Sequence, residues 1–297
     1  MTVKSISFGA PFSWLAASFE ALRKDNGATV GATALMMVVV LVPTVIQQIL
    51  LRVMQPASLA AVLTIQVLIM VVSTFLFPPL IGGYFRFLHA REQGQPARAT
   101  TVFALFREPS AAMRMIATGL IFTAIYVVLF IAVNFATGGY AVEFMKVAMT
   151  TPPGHPPVFP PMPSGFLLWI LVFVFLGIIL ITAYMLAITQ TALSTRTPFE
   201  AIGDGFAATV RNLAVFAVFY FAMFCAGVVF ALILGLVIGL VALLFGFISP
   251  ILALVVVIPI YLVLLLLTYV VMFGFNYYAW RGTLGDDAAA TAQQLTA

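Results

Sequence analysis

Charge is what this sequence has least of. Only 7% of its 297 residues are Asp, Glu, Lys or Arg, whereas a soluble domain carries about 25% to cover its surface. A water-soluble globule is therefore excluded. Cysteine occurs once, at Cys225, so no intramolecular disulfide can form and the thiol reads as a small apolar packing residue. Histidine occurs twice, as His89 and His155, and neither HExxH nor a phosphate-binding glycine loop is present. No Asp, Glu, Lys, Arg or His lies near the middle of any long apolar run, which argues against proton coupling through buried carboxylates.

What the sequence has in abundance is apolar length: 64% of its residues are hydrophobic. Six runs, at residues 28 to 50, 58 to 84, 112 to 136, 166 to 190, 213 to 240 and 250 to 279, are each long enough to cross a hydrocarbon core of roughly 30 Å as a helix. Lipid offers no partner to open backbone, so each run is expected to be helical. The expected fold is all-α, a polytopic bundle of six transmembrane helices in one membrane domain over residues 1 to 285, with a flexible tail at 286 to 297. The first 27 residues lack an unbroken apolar core before a small-residue cleavage site, and so do not read as a signal peptide.

The cations orient this map. Lys4, Arg23, Lys24, Arg86, Arg91, Arg98, Arg107, Arg114, Arg196, Arg211 and Arg281 fall on one side, with only Arg52 and Lys146 on the other. Excess Lys and Arg in short loops marks the cytoplasmic face, so both termini are expected there. The net charge of +4 then serves topology and contact with anionic lipid rather than nucleic acid.

Three stretches stand out. "FPPLIGGYFRFLHAREQGQP", residues 77 to 96, reads as the cytoplasmic exit of the second span. Pro78 and Pro79 should kink the helix, while Gly82 and Gly83 admit a close neighbour. Arg86, His89 and Arg91 should meet lipid headgroups. These seven residues are the candidate hinge or lipid-headgroup contacts.

Secondly, "APFSWLAASFEALRKDN" overlays "TPFEAIGDGFAATVRNL" at an offset of 187 residues, matching Pro11 with Pro198, Phe12 with Phe199, Leu15 with Ile202, Phe19 with Phe206 and Lys24 with Arg211. Both have helical periodicity, with Phe12, Leu15, Phe19 and Leu22 on one apolar face, and Phe199, Ile202, Phe206, Val210 and Leu213 on the other. Thr197, Pro198 and Glu200 suit a capping box with proline at the first helical position. A weaker copy, "TTVFALFREPSAAMRM", has Val102, Leu105 and Phe106 as its apolar face, and Pro109 should break or kink it. The reading is a unit of amphipathic helix plus hairpin used three times, at about 9 to 90, 97 to 194 and 196 to 282.

Thirdly, the external loop 137 to 165 is rich in proline, and its "GYAVEFMKVAM" suits a short interfacial helix. Met145, Met149, His155 and Met162 there are suitable soft or borderline ligands for copper, but their spacing matches no metal motif. No metal, cofactor or catalytic residue is assigned.

The amphipathic start with Trp14 and Phe19, the 77 to 96 stretch and its later recurrence resemble uncharacterised six-helix bacterial inner-membrane proteins. They are also similar to the membrane domain fused to some glycerophosphodiester phosphodiesterases. The resemblance implies a bacterial inner-membrane location and carries over no catalytic residue, because the phosphodiesterase catalytic domain is absent from this sequence.

The favoured role is a non-enzymatic membrane protein that organises lipids or a membrane-protein partner. Second comes a transporter or lipid translocator for a neutral or amphipathic substrate, motivated by repeated hairpins and by Pro43, Pro78, Pro79 and Pro259. An integral membrane enzyme comes third, with its titratable groups at His89, Arg91, Glu92, Glu200 and Asp204.

Overall fold

The computed structural model describes residues 3–24, 26–54, 58–151, 156–247 and 249–285. His155 and the tail 286–297 lie outside the described residues, as does the side chain of Met149. Among the described residues there is no strand, and the chain is an all-α polytopic bundle.

In chain order the elements are α1 (Ala10–Lys24), α2 (Asn26–Met54), α3 (Leu59–Glu92), a 3₁₀ segment η1 (Ala99–Arg107), α4 (Pro109–Ala136), α5 (Tyr140–Thr150), α6 (Phe166–Leu193), α7 (Pro198–Arg211), α8 (Leu213–Gly246) and α9 (Pro250–Thr283). Six of them, α2, α3, α4, α6, α8 and α9, are long and apolar enough to cross a membrane. Their outer faces expose residues such as Val128, Leu232 and Leu236, which costs nothing against lipid tails as apolar as leucine.

Several helices outrun the expected spans. The second does not end near residue 84. It continues as α3 through Pro78 and Pro79 to Glu92, and the stretch from Pro78 to Leu88 contributes Leu80, Tyr84, Phe85 and Phe87 to the core with no exposed surface. That region is an inner wall of the bundle.

The short elements α1, η1 and α7 gather at the end of the bundle that holds the C-terminal ends of α3, α6 and α9. There η1 packs on α3, α7 on α6 and α1 on α9, making a collar. Extended residues before α1 fasten it: Lys4 donates its backbone N–H to Thr283 O (3.2 Å), Ile6 N–H donates to Asn212 Oδ1 (3.0 Å), and Asn212 Nδ2 donates to Lys4 O (3.0 Å). The first residues of the chain thereby bridge the end of α9 and the α7–α8 junction.

The third collar element corrects an expectation. It is a nine-residue 3₁₀ helix, and its period of about three residues per turn buries Val102 and Leu105 while Phe106 is exposed. Pro109 opens α4 at its first position, where a missing N–H breaks no helical bond.

The apolar faces of α1 and α7 divide between bundle and surface, with Ile202 buried and Phe206 stacked on Phe122. Small residues face the bundle: Ala201, Gly205 and Ala208 of α7 are buried, as is Ser18 of α1. Phe12, Phe19, Phe199 and Val210 are exposed. A Cβ on Gly205 would come within 2.5 Å of Ala183 O, so α7 approaches α6 closer than any larger side chain allows.

Candidate functional site

Most residues singled out in 77 to 96 have a defined neighbour. The Pro78 ring rests on Gly119 of α4, where a Cβ would lie 2.5 Å from Pro78 Cγ. Gly82 faces Met115 and Leu105, and Gly83 faces the backbone of Val102 in η1. Pro79 is buried. Arg86 donates from Nε to Ala192 O (3.0 Å) and from Nη1 to both Glu108 carboxylate oxygens (2.8 and 2.7 Å). This residue therefore joins α3 to the end of α6 and the η1–α4 junction.

His89 lies deeper. Its Nδ1 is 3.0 Å from Tyr277 OH and its Nε2 is 2.8 Å from Gln93 Nε2, so both ring nitrogens are partnered within the protein. Edge-on contacts with Tyr277 and Trp280 hold the ring. Trp280 Nε1 in turn donates to Gln190 Oε1 (2.6 Å), tying α9 to α6 in the buried interior.

One turn further along α3, Glu92 accepts from Tyr278 OH at Oε1 (2.6 Å) and from Arg281 Nη1 at Oε2 (3.3 Å). Beside this pair is a cavity of about 90 Å³ into which α1 brings Ala21, α2 brings Thr29, α3 brings Arg91 and Glu92, and α9 brings Tyr277 and Tyr278. Its walls hold one guanidinium, one carboxylate and two phenol rings at the collar end of membrane-length helices.

The five titratable groups considered for catalysis do not form one cluster. His89, Arg91 and Glu92 belong to the α3–α9 assembly. Glu200 and Asp204 lie along α7 and share Arg196, 3.6 Å from each carboxylate. Glu200 closes the capping box, accepting from Thr197 N–H (2.9 Å) and Thr197 Oγ1 (3.0 Å), and these donors hold its carboxyl below the usual range. Burial pushes the Asp204 carboxyl up, against the opposing pull of Arg196.

No family model, curated protein or solved structure matches the chain. Function is therefore argued from these side chains alone. The cavity was not legible beforehand, since its walls come from residues 21, 29, 91, 92, 277 and 278 on four separate helices. The one signal available was the unusual tyrosine pair Tyr277 and Tyr278 just before Arg281. At the other end of the bundle, α5 carries a stacked Phe144–Phe159 pair (4.5 Å between centroids) and an edge-on Tyr140–Phe166 contact, with Glu143 and Lys146 4.0 Å apart.

Proposed function

We propose that this chain is a non-enzymatic integral protein of a bacterial inner membrane, with its collar and both termini in the cytoplasm, and that it organises lipids or a membrane-protein partner. The observation that carries this reading is the collar itself. Its helices turn small residues inward and leave Phe12, Phe19, Phe199 and Val210 exposed, at the end of the bundle where the arginines concentrate. Amphipathic helices with aromatic and basic residues lie in the interfacial plane and associate with anionic lipid.

The test is extraction from native membranes in lipid-bearing polymer discs, followed by mass spectrometry of co-purifying lipids and proteins against an unrelated six-span control. Enrichment of a lipid or a specific protein is expected. Recovery of neither would remove this reading.

The translocator alternative draws on α8 and α9, whose most apolar stretches leave nearly every side chain unburied. Such a loosely packed hairpin could shift against the bundle. Flux of an amphipathic probe into vesicles reconstituted with the chain, and absent from protein-free vesicles, would favour it.

A further inference from the structure

We propose that the cavity at the collar end of α1, α2, α3 and α9 binds the headgroup of an amine-bearing phospholipid, its ammonium at Glu92 and the tyrosine rings and its phosphate at Arg91. This rests on the lipid-organising reading and names the lipid class.

The chemistry of the walls selects the ligand. A carboxylate has about four lone-pair sites, and Glu92 uses one oxygen for Tyr278 and the other for Arg281. It retains acceptor capacity for the N–H groups of an ammonium. Tyr277 and Tyr278, edge-on at 5.3 Å between centroids, add faces that attract a cation. Arg91 lines the same cavity, and the planar fork of an arginine suits a phosphodiester.

Size narrows the choice. About 90 Å³ holds on the order of six water-sized groups, enough for a small ammonium with its linker. A trimethylated ammonium is bulkier and has no N–H to give to Glu92. A headgroup with hydroxyls in place of the amine offers Glu92 only neutral donors, without the ammonium's charge. Depth fits as well, since Arg91, Glu92, Tyr277 and Tyr278 lie in the last turns of membrane-length helices.

The test reconstitutes the full chain in nanodiscs with equal phosphatidylethanolamine, phosphatidylcholine and phosphatidylglycerol, then counts lipids retained on detergent release by native mass spectrometry. Wild type is expected to retain phosphatidylethanolamine roughly tenfold over phosphatidylcholine, the worth of one charge-assisted hydrogen bond. Glu92→Gln should erase that preference. Because Glu92 also anchors Tyr278 and Arg281, a second variant is needed: Ala21→Leu fills the cavity without touching that network and should erase it too.

Equal retention of the two lipids, a preference for phosphatidylglycerol, or a preference that survives Ala21→Leu would overturn the proposal. Free phosphoethanolamine, added at millimolar concentration, should fail to displace the lipid. Displacement would assign the cavity to a soluble ligand and overturn the lipid assignment. A chain that enriches lipids from native membranes but shows no amine preference loses only this inference, whereas one that enriches neither lipid nor protein loses the broader reading.

Discussion

Gly83 of α3 lies against the carbonyl of Val102 in η1 so closely that a Cβ at residue 83 would stand 2.7 Å from the Val102 carbonyl carbon. The contact is backbone on backbone, so neither side can yield by turning a side chain. Gly83→Ala is expected to cost about 1–3 kcal/mol through overpacking, read as a lowered melting temperature in detergent. Gly227→Ala on α8, where a Cβ meets nothing within 4 Å, is the control. It should be neutral or stabilising by up to about 1 kcal/mol.

The Trp280–Gln190 bond makes a second prediction. Both residues are at most 2% exposed, so Gln190→Met removes the acceptor seen by the Trp280 N–H without opening a large void. The expected loss is about 1 kcal/mol, near the lower end for an unsatisfied buried donor because membrane hydrogen bonds average less than that range. Trp280 fluorescence should change with it. An unchanged melting temperature would show that the bond holds no weight in joining α6 to α9.

How much of this was legible in the chain follows from sequence distance. The α7 start was legible because Thr197, Pro198 and Glu200 are adjacent and their roles are local. The six crossings were legible because apolar length is a local property. The collar packing was harder to see, although the overlay held a clue. The offset that matches Phe12 with Phe199 also matches Ser18 with Gly205, and it is these small residues that touch the bundle, Ser18 against Gly274 and Gly205 against Ala183. Large aromatics draw the eye as core residues in water, yet beside lipid they can remain outside. The bridge from Lys4 and Ile6 to Asn212 spans more than 200 residues, and neither end carries a pattern that names the other.

The two α7 carboxylates predict opposite pH responses. Glu200 has a lowered folded-state value, so its contribution is present above its ordinary value of 4.5 and fades as pH falls through the lowered one. Asp204 is raised above its ordinary 3.8, so the folded state holds its proton more tightly. That contribution is present below 3.8 and is lost as pH rises through the raised value. Melting curves between acid and neutral pH should therefore show Glu200→Gln weakening the loss on acidification relative to wild type. Asp204→Asn should weaken the loss as pH rises. Identical profiles for the two variants would contradict the assignment.

Thr197→Ala separates the cap from the charges. It removes the side-chain acceptor for Glu200 N–H and the hydroxyl donor to Glu200, at an expected cost of about 1 kcal/mol. Because Arg196 still faces both carboxylates, its destabilisation should persist at neutral pH. It should also leave Glu200 with a smaller downward displacement. Hydrogen exchange at the α7 amino end would locate the loosening.

The sidedness can be tested with one thiol at a time, because Cys225 is the sole cysteine and Cys225→Ser gives a blank background. Phe8, 59% exposed just before α1, and Val158, 85% exposed between α5 and α6, lie at opposite ends of the bundle. On the proposed topology, a membrane-impermeant maleimide added to intact cells should label Val158→Cys and leave Phe8→Cys untouched until the membrane is opened. The reverse order would place the collar outside. It would also put Glu92, Arg91 and the cavity beside them in the other leaflet, where the cytoplasmic bias of anionic lipid no longer supports collar binding. The labelling therefore decides which leaflet supplies the lipid before any headgroup measurement is made.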